Sequence, residues 1–335
     1  MRQPRLKAPP DHQAGFHHCL SRVVNRDFVF DDLEKEMFVK MMRQYEVFCG
    51  VEILTFCILS NHFHLLIEVP RRPIHRLSQE ELLTRCGAIY GPNKLGHIRG
   101  ELERLKLQPV ELEAYEDQFL CRMWDVSHFM KSLKQRFTQW FNGTRPDGRK
   151  GTLWEERFKS ILVEGASEAL STIAAYIDLN PVRATIVSDP KDYRWSGYGS
   201  CVAGNKKAVE SLKRVLPPGS KDLAFYRKLL YVEGEKEGLS TENVCIRPGF
   251  HPEEVKKVWE SGGQLSLPEA LRCRVRYFAD GTVLGSQQFA NDIFTRYRVY
   301  FGVTRSQGAR PLKGIDTTQA GGLFGLRNLR HQPIG

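Results

Sequence analysis

Residues 52–69 read EILTFCIL, then SN, then HFHLLIEV: two short apolar runs separated by the polar pair Ser60-Asn61. Both runs have the length and the Ile, Leu and Phe content of β-strands, so we predict an antiparallel hairpin with a tight turn. The same composition predicts two further strands, at Phe16–Val24 and Phe158–Glu164.

Three segments around these strands have the apolar spacing of helices. They are Asp31–Gly50, which begins with acidic residues, Asp125–Phe141 and Ser167–Leu179. The order strand, helix, strand, strand, helix, strand, helix predicts an α+β fold of the ferredoxin-like, split βαβ type. We expect an antiparallel sheet with helices on one face, and the other face open to a ligand.

The remaining segments predict an insertion, a linker and an extension. Residues 71–124 interrupt the order of elements and are interpreted as a helical insertion in a domain that spans residues 12–200. Residues 201–220 have the composition of a linker, and residues 221–335 of a basic C-terminal domain. The last forty residues carry seven Lys or Arg against one Asp, which suits phosphate contact or a solvated surface.

The overall composition is that of a basic protein with reduced thiols. The net charge of +10 over 335 residues favours polyanionic partners, although many basic proteins bind no nucleic acid. Eight cysteines form no C-x-x-C pair, which argues against a zinc knuckle or a disulfide framework. Residues 1–10 do not have the pattern of a signal peptide, and no run approaches about 18 apolar residues, so we expect a cytoplasmic protein without membrane contact.

The predicted third strand contains two histidines at a spacing of two residues. Because side chains alternate along a strand, His62 and His64 point to the same face and Phe63 to the other. Two neutral imidazoles, an oxygen donor and waters suit Mg²⁺ or Mn²⁺ holding a phosphate, whereas zinc normally takes more His or Cys ligands. The pair is also compatible with two surface histidines on a half-exposed strand.

The third helix brings a tyrosine and an asparagine together. By helical periodicity Tyr176 lies at the edge of the buried stripe, and Asn180, four residues on, lies near it. Pro181 disfavours helical conformation at Asn180 and is expected to end the helix there, which leaves the carboxamide oxygen able to reach a metal. An amphipathic packing role for Tyr176 is the alternative.

Four motifs resemble the REP-associated tyrosine transposases, which are single-tyrosine, His-hydrophobic-His transposases of the insertion-sequence 200-like type. They are NHFH at 61–64, LWEERF at 153–158, YIDLNPVRA at 176–184 and YRWS at 193–196, and the resemblance covers residues 12–200. It implies a ferredoxin-like domain acting on single-stranded or hairpin DNA, with His62 and His64 as metal ligands. It further implies Tyr176 as the nucleophile of a 5′-phosphotyrosine intermediate. Related transposases have a Gln ligand where this chain has the shorter Asn180.

Basic residues near these motifs are candidates for DNA contact or, alternatively, solvated surface charges. They are Lys131, Lys134, Arg136, Arg149, Lys150, Arg157, Lys159 and Arg183. Trp154 is interpreted either as a base-stacking residue or as part of the core.

These features predict a metal-dependent transposase that cleaves and rejoins single-stranded hairpin DNA, as a monomer or a homodimer. Two other functions stay open. One is a DNA- or RNA-binding regulator that keeps the fold with little turnover. The other is a metal-dependent phosphodiesterase that uses water, with Tyr176 as a packing residue.

Overall fold

The computed structural model describes residues 5–145, 148–165, 168–216, 223–231, 265–266, 271, 276–301, 305–312, 315–316 and 322–326. The strands are β1 Ala14–Arg22, β2 Glu52–Ile58, β3 His62–Pro70, β4 Lys159–Val163, β5 Leu265–Ser266, β6 Val283–Gly285, β7 Arg310–Pro311, β8 Ile315–Asp316 and β9 Phe324–Leu326. The helices are α1 Asp32–Cys49, α2 Gln79–Gly87, α3 Pro92–Arg104, α4 Pro109–Leu120, α5 Val126–Gly143, α6 Glu168–Asp178, α7 Asn180–Arg183, α8 Gly197–Val202, α9 Lys206–Lys213, α10 Leu223–Leu230, α11 Arg276–Asp280 and α12 Gln287–Arg296.

Strands β1 to β4 form the antiparallel sheet of a ferredoxin-like fold. Their order is β2-β3-β1-β4, with every neighbouring pair antiparallel. The connection from β2 to β3 is a tight turn in which the backbone N–H of Leu59 donates to the carbonyl of His62 at 2.8 Å. The predicted α+β fold class is confirmed.

The two long helices of this unit begin and end where their sequences supply caps. At the start of α1, Asp31 and Glu34 form a capping box, and Gly50 ends the helix with a φ of 63°, a conformation that favours glycine. At the start of α5, the Asp125 carboxylate accepts the backbone N–H of His128 at 2.8 Å. Local sequence therefore determines where both helices begin and where α1 ends.

Helices cover both faces of the sheet, which differs from the expectation of one covered face. Helices α1 and α5 and the insertion pack on the face that carries Phe63 and Leu65. On the opposite face α6 packs through Ile173 and Ile177 against Leu66. The reason is that the sheet carries apolar side chains on both faces. Phe63 and Leu65 are buried under α1 and α5, and Leu54 and Leu66 are buried under α6.

The predicted insertion consists of α2, α3 and α4, which lie between β3 and α5. It packs onto the core of the α1 and α5 face through Leu82, Ile98 and Leu120. Over the described residues, each helix is too short or too polar to cross a membrane.

The C-terminal residues continue the same sheet. Strand β6 pairs in parallel with β4, with Leu162 opposite Val283, and β9 and β7 follow in antiparallel pairing. The predicted linker contains the end of α8 and all of α9. The boundaries predicted at residues 200 and 220 stay predictions. Residues 217–220 of the linker, and Lys313, Arg327 and Arg330 of the basic tail, lie outside the described residues.

Candidate active site

His62 and His64 lie next to each other on one face of β3. Their ring centroids are 5.3 Å apart and the rings are nearly perpendicular. Nδ1 of His62 is 2.6 Å from the side-chain oxygen of Asn61, which orients the His62 ring. His64 is buried, and burial lowers its pKa well below the usual value for histidine. A neutral imidazole is the form that binds a metal ion.

Helix α6 brings Tyr176 to this pair. The ring centroid of Tyr176 is 6.2 Å from that of His64, with the two rings edge to face. The contact exists because the apolar stripe of α6 is buried against β2 and β3, on the face to which the histidines point. Residues 112 positions apart in the chain thus meet in one site.

Tyr176 is more deeply buried than its position on the helix predicted. Its side chain is 2% exposed, rather than lying at the edge of the buried face. Phe278 of α11 packs on it, with ring centroids 5.2 Å apart, and the guanidinium of Arg183 lies 4.0 Å from the centre of its ring. Part of this burial is therefore due to a side chain from the C-terminal extension, which the periodicity of α6 cannot predict.

Asn180 and Arg183 hold the end of α6. The amide nitrogen of Asn180 donates to the carbonyls of Ile177 at 3.0 Å and Tyr176 at 3.3 Å. Arg183 also donates to the Tyr176 carbonyl, and to that of Leu271 at 2.6 Å. The chain passes into α7 at Asn180. Pro181 has no backbone N–H for the carbonyl of Ile177, four residues earlier, so the Asn180 amide supplies that carbonyl with a donor. Metal ligation by Asn180 stays a prediction.

The two imidazoles lie close together on one sheet face and are donors of the kind that bind divalent cations. Within the described ranges, no three His, Cys, Asp or Glu side chains are grouped to hold a metal ion by themselves. A cation bound by two imidazoles would have further coordination positions for phosphate oxygens and water, as a catalytic metal requires. Nδ1 of His62 lies within hydrogen-bond distance of Asn61, and Nδ1 of His64 within that of His18, so either ring would bind a metal ion through Nε2.

Sequence reasoning missed His18, a third histidine at the site. In β1, Leu20 lies opposite His64, and His18 has the same strand parity, so it points to the same face. Nε2 of His18 is 2.8 Å from Nδ1 of His64, and burial lowers the pKa of His18 to about 3. Strand alternation alone predicts that His18 and Leu20 share a face. The β1–β3 register that brings them to His64 is a tertiary property.

Asp178 is a second residue that the sequence did not single out. Its buried carboxylate accepts from Thr55 Oγ1 at 2.9 Å, from the backbone N–H of Tyr198 at 3.1 Å and from the hydroxyl of Tyr226. These bonds join α6 to β2, α8 and α10. Asp178 therefore anchors the helix that carries Tyr176.

The candidate DNA contacts on α5 lie across the sheet from Tyr176, because α5 packs on the opposite face. Lys131 and Arg136 are exposed. Lys134 donates to the carbonyl of Glu156 at 3.0 Å, and burial lowers its pKa to about 8. The structure does not bring these three residues to the histidine pair.

The other candidate contacts are divided between exposed and internally bonded residues. Lys150 and Arg157 are exposed, and Lys159 forms an ion pair with Asp280 at 2.8 Å. Arg149 donates to the side-chain oxygen of Asn142 at 2.7 Å. Their role in DNA binding stays a prediction.

Trp154 belongs to the core. It is buried against α1 and α5, and its indole N–H donates to Thr138 Oγ1 at 2.9 Å. Of the two interpretations of this residue, the structure favours core packing over base stacking.

Comparison with solved structures finds a distant match. A REP-associated tyrosine transposase, solved bound to a REP hairpin, matches with 14% sequence identity and a TM-score of 0.39. The match covers 72% of this chain and 98% of that chain. No family model and no curated protein matches the sequence. A likeness this remote does not assign roles to the side chains of the site.

Proposed function

We propose that the chain is a metal-dependent transposase that cleaves and rejoins single-stranded, hairpin-bearing DNA through a covalent bond to Tyr176. The observation that carries the proposal is the approach of the Tyr176 ring to His64, with centroids 6.2 Å apart, beside His62. A phenol, two imidazoles and the guanidinium of Arg183 meet in one place. This set supplies a nucleophile, metal ligands and a positive charge for a phosphate.

The proposed roles follow from the chemistry of each group. His62 and His64 would hold Mg²⁺ or Mn²⁺, which when bound acts as a Lewis acid on a DNA phosphate. Arg183 places a positive charge beside Tyr176, where negative charge develops on the phosphate during attack. Anchoring of α6 by Asp178 would hold the phenol in position.

The reaction conserves the energy of the phosphodiester bond. The phenolic oxygen of Tyr176 forms a bond to phosphorus as the bond from phosphorus to the 3′ oxygen breaks. The phenol loses its proton and the leaving oxygen gains one, which yields a 5′-phosphotyrosine and a 3′-hydroxyl. Attack by a 3′-hydroxyl on the phosphotyrosine reverses these steps and rejoins a strand. The 5′ polarity is taken from the family that the motifs resemble.

The burial of Tyr176 favours a second candidate, a DNA- or RNA-binding protein with little turnover. Phe278 covers the Tyr176 ring, so a phosphate reaches the phenol only if this contact opens. A binding protein needs no such opening, and Tyr176 would then be a packing residue.

One experiment separates these functions. The full chain is incubated with Mn²⁺ and an end-labelled hairpin oligonucleotide with single-stranded flanks, and the products are resolved on a denaturing gel. We expect a covalent protein–DNA adduct with the wild type, none with Tyr176→Phe, and wild-type yield with Tyr115→Phe in the insertion. Cleaved DNA without an adduct would show attack by water, and a native gel shift without cleavage would show a binding protein. An adduct that persists in Tyr176→Phe would exclude Tyr176 as the nucleophile.

A further inference from the structure

Strand β1 places an imidazole directly behind one of the proposed metal ligands. His18 is 1% exposed, and its Nε2 is 2.8 Å from Nδ1 of His64. The two rings are stacked, with centroids 5.1 Å apart and an interplanar angle of 20°. At this distance one ring nitrogen donates a hydrogen bond and the other accepts it.

The direction of this hydrogen bond decides whether His64 can bind a metal ion through Nε2. A neutral imidazole carries its hydrogen on one of its two nitrogens. If His18 donates, the hydrogen of His64 resides on Nε2, which then has no lone pair for a cation. If His64 donates through Nδ1, its Nε2 carries a lone pair.

Metal binding through Nε2 of His64 requires the second arrangement. The hydrogen of a neutral His64 is then on Nδ1, and Nε2 of His18, 2.8 Å away, is the ring nitrogen placed to accept it. A neutral His18 accepts at Nε2 when its own hydrogen is on Nδ1.

We infer that His18 is a positioning residue, which accepts the Nδ1 hydrogen of His64 and so holds His64 in the tautomer that presents Nε2 to the cation. The inference rests on the proposed function, in which His64 is a ligand. His18 does not touch the cation or the DNA in this role. Groups that orient a metal-binding histidine in this way contribute about 10- to 100-fold to metal affinity.

The first test measures Mn²⁺ affinity of the full chain by electron paramagnetic resonance titration, without DNA and without turnover. His18→Leu removes the acceptor, and we expect binding to weaken about 10- to 100-fold. His18→Gln offers a carbonyl oxygen to the same hydrogen, so its affinity should lie within about threefold of the wild type. His17→Leu is the matched control, because His17 is equally buried on the same strand but points to the opposite face.

Two results would overturn the inference. One is wild-type affinity in His18→Leu, and the other is an equal loss in the Leu and Gln variants, which would indicate packing rather than hydrogen bonding. Thermal melts of each variant establish that it is folded.

The second test reads the tautomer directly in the metal-free wild type and requires no folded variant at position 18. In ¹⁵N NMR spectra of histidine-labelled protein, the His64 signals are assigned by their loss in His64→Asn. We expect Nδ1 of His64 to be protonated and its Nε2 to be unprotonated, and the reverse pattern would overturn the inference. If the wild type binds no Mn²⁺, the proposed function loses its metal site. The NMR measurement still shows whether His64 donates to His18, so the two failures are distinguishable.

Discussion

Replacing Tyr226 by Phe removes one hydrogen-bond donor from the buried Asp178 carboxylate and leaves the rest of the ring in place. Asp178 also accepts from Thr55 Oγ1 at 2.9 Å and from the backbone N–H of Tyr198 at 3.1 Å. The change therefore weakens the attachment of α6, which carries Tyr176, to the C-terminal helix α10. We expect a loss of folding free energy whose size depends on pH.

The magnitude follows from the ionisation of Asp178. Burial raises its pKa from the usual value near 4 to about 7, and the hydrogen bonds oppose this rise. A carboxyl whose pKa is higher in the folded than in the unfolded protein contributes to stability while it is protonated. This contribution is complete below the pKa of the unfolded state, and it is lost as the pH rises through the folded-state pKa of about 7. Removing the Tyr226 donor raises the pKa of Asp178 in the folded protein further. The variant therefore loses additional unfolding free energy, relative to the wild type, above pH 7.

At pH 6 the Asp178 carboxyl is mostly protonated in both proteins, and the variant loses one neutral hydrogen bond, worth about 1 kcal/mol. At pH 8.5 the lost bond is to a carboxylate, and the expected loss is about 2–3 kcal/mol. The free energy of unfolding is measured by urea titration with far-ultraviolet circular dichroism at both pH values.

Tyr231→Phe is the matched control for this measurement. Its hydroxyl donates to Asp189 at 2.8 Å and contacts the hydroxyl of Tyr198, whereas Asp178 is bonded by the backbone N–H of Tyr198 and by no atom of Tyr231 that the substitution removes. The pKa of Asp189 is lowered, so this carboxylate is ionised at both pH values and the control should lose the same free energy at each. A loss in Tyr226→Phe that is equal at pH 6 and 8.5, or smaller at pH 8.5, would refute the role assigned to Asp178.

Three further predictions concern packing, acid stability and DNA contact. In Gly197→Ala the new Cβ would lie 2.1 Å from Thr55 Oγ1, so we expect a loss of about 1–3 kcal/mol in urea unfolding, and unchanged stability would contradict the packing of α8 on β2. Burial lowers the pKa of His17 to about 4, so the wild type should lose up to about 3 kcal/mol relative to His17→Leu as the pH falls from 6.5 to 4. Parallel stability curves for these two proteins would show that His17 is not buried in its neutral form. If the exposed Arg157 contacts DNA, Arg157→Gln should reduce the slope of log affinity against log salt for single-stranded DNA by about 0.7, and an unchanged slope would exclude the contact.

Local pattern was sufficient to predict the ferredoxin-like unit. The hairpin of β2 and β3 was predicted from two apolar runs and a polar pair, and α1 from its acidic start and the helical spacing of its apolar residues. These signals act within a few residues, because strand alternation, helix periodicity and capping are properties of neighbouring side chains. Helix coverage of the second sheet face was not predicted, since it depends on which element packs there.

The candidate site was predicted in part for the same reason. Alternation along one strand identified His62 and His64, and helix periodicity with the resemblance identified Tyr176. Their meeting on one face of the sheet is seen only in the structure. His18 had no signal of its own, because its partner lies 46 positions away and is reached through the β1–β3 register.

By itself, the sequence determined the main strands and helices of the ferredoxin-like unit and pointed to the histidine pair and the tyrosine of its site, because these follow from short-range periodicity and side-chain chemistry. Only the tertiary structure decided the surroundings of those residues. It placed Phe278 over Tyr176 and His18 behind His64, and it buried Asp178 among three donors. Burial and hydrogen-bond partners arise from segments far apart in the chain, and they set the ionisation and accessibility on which the chemistry depends.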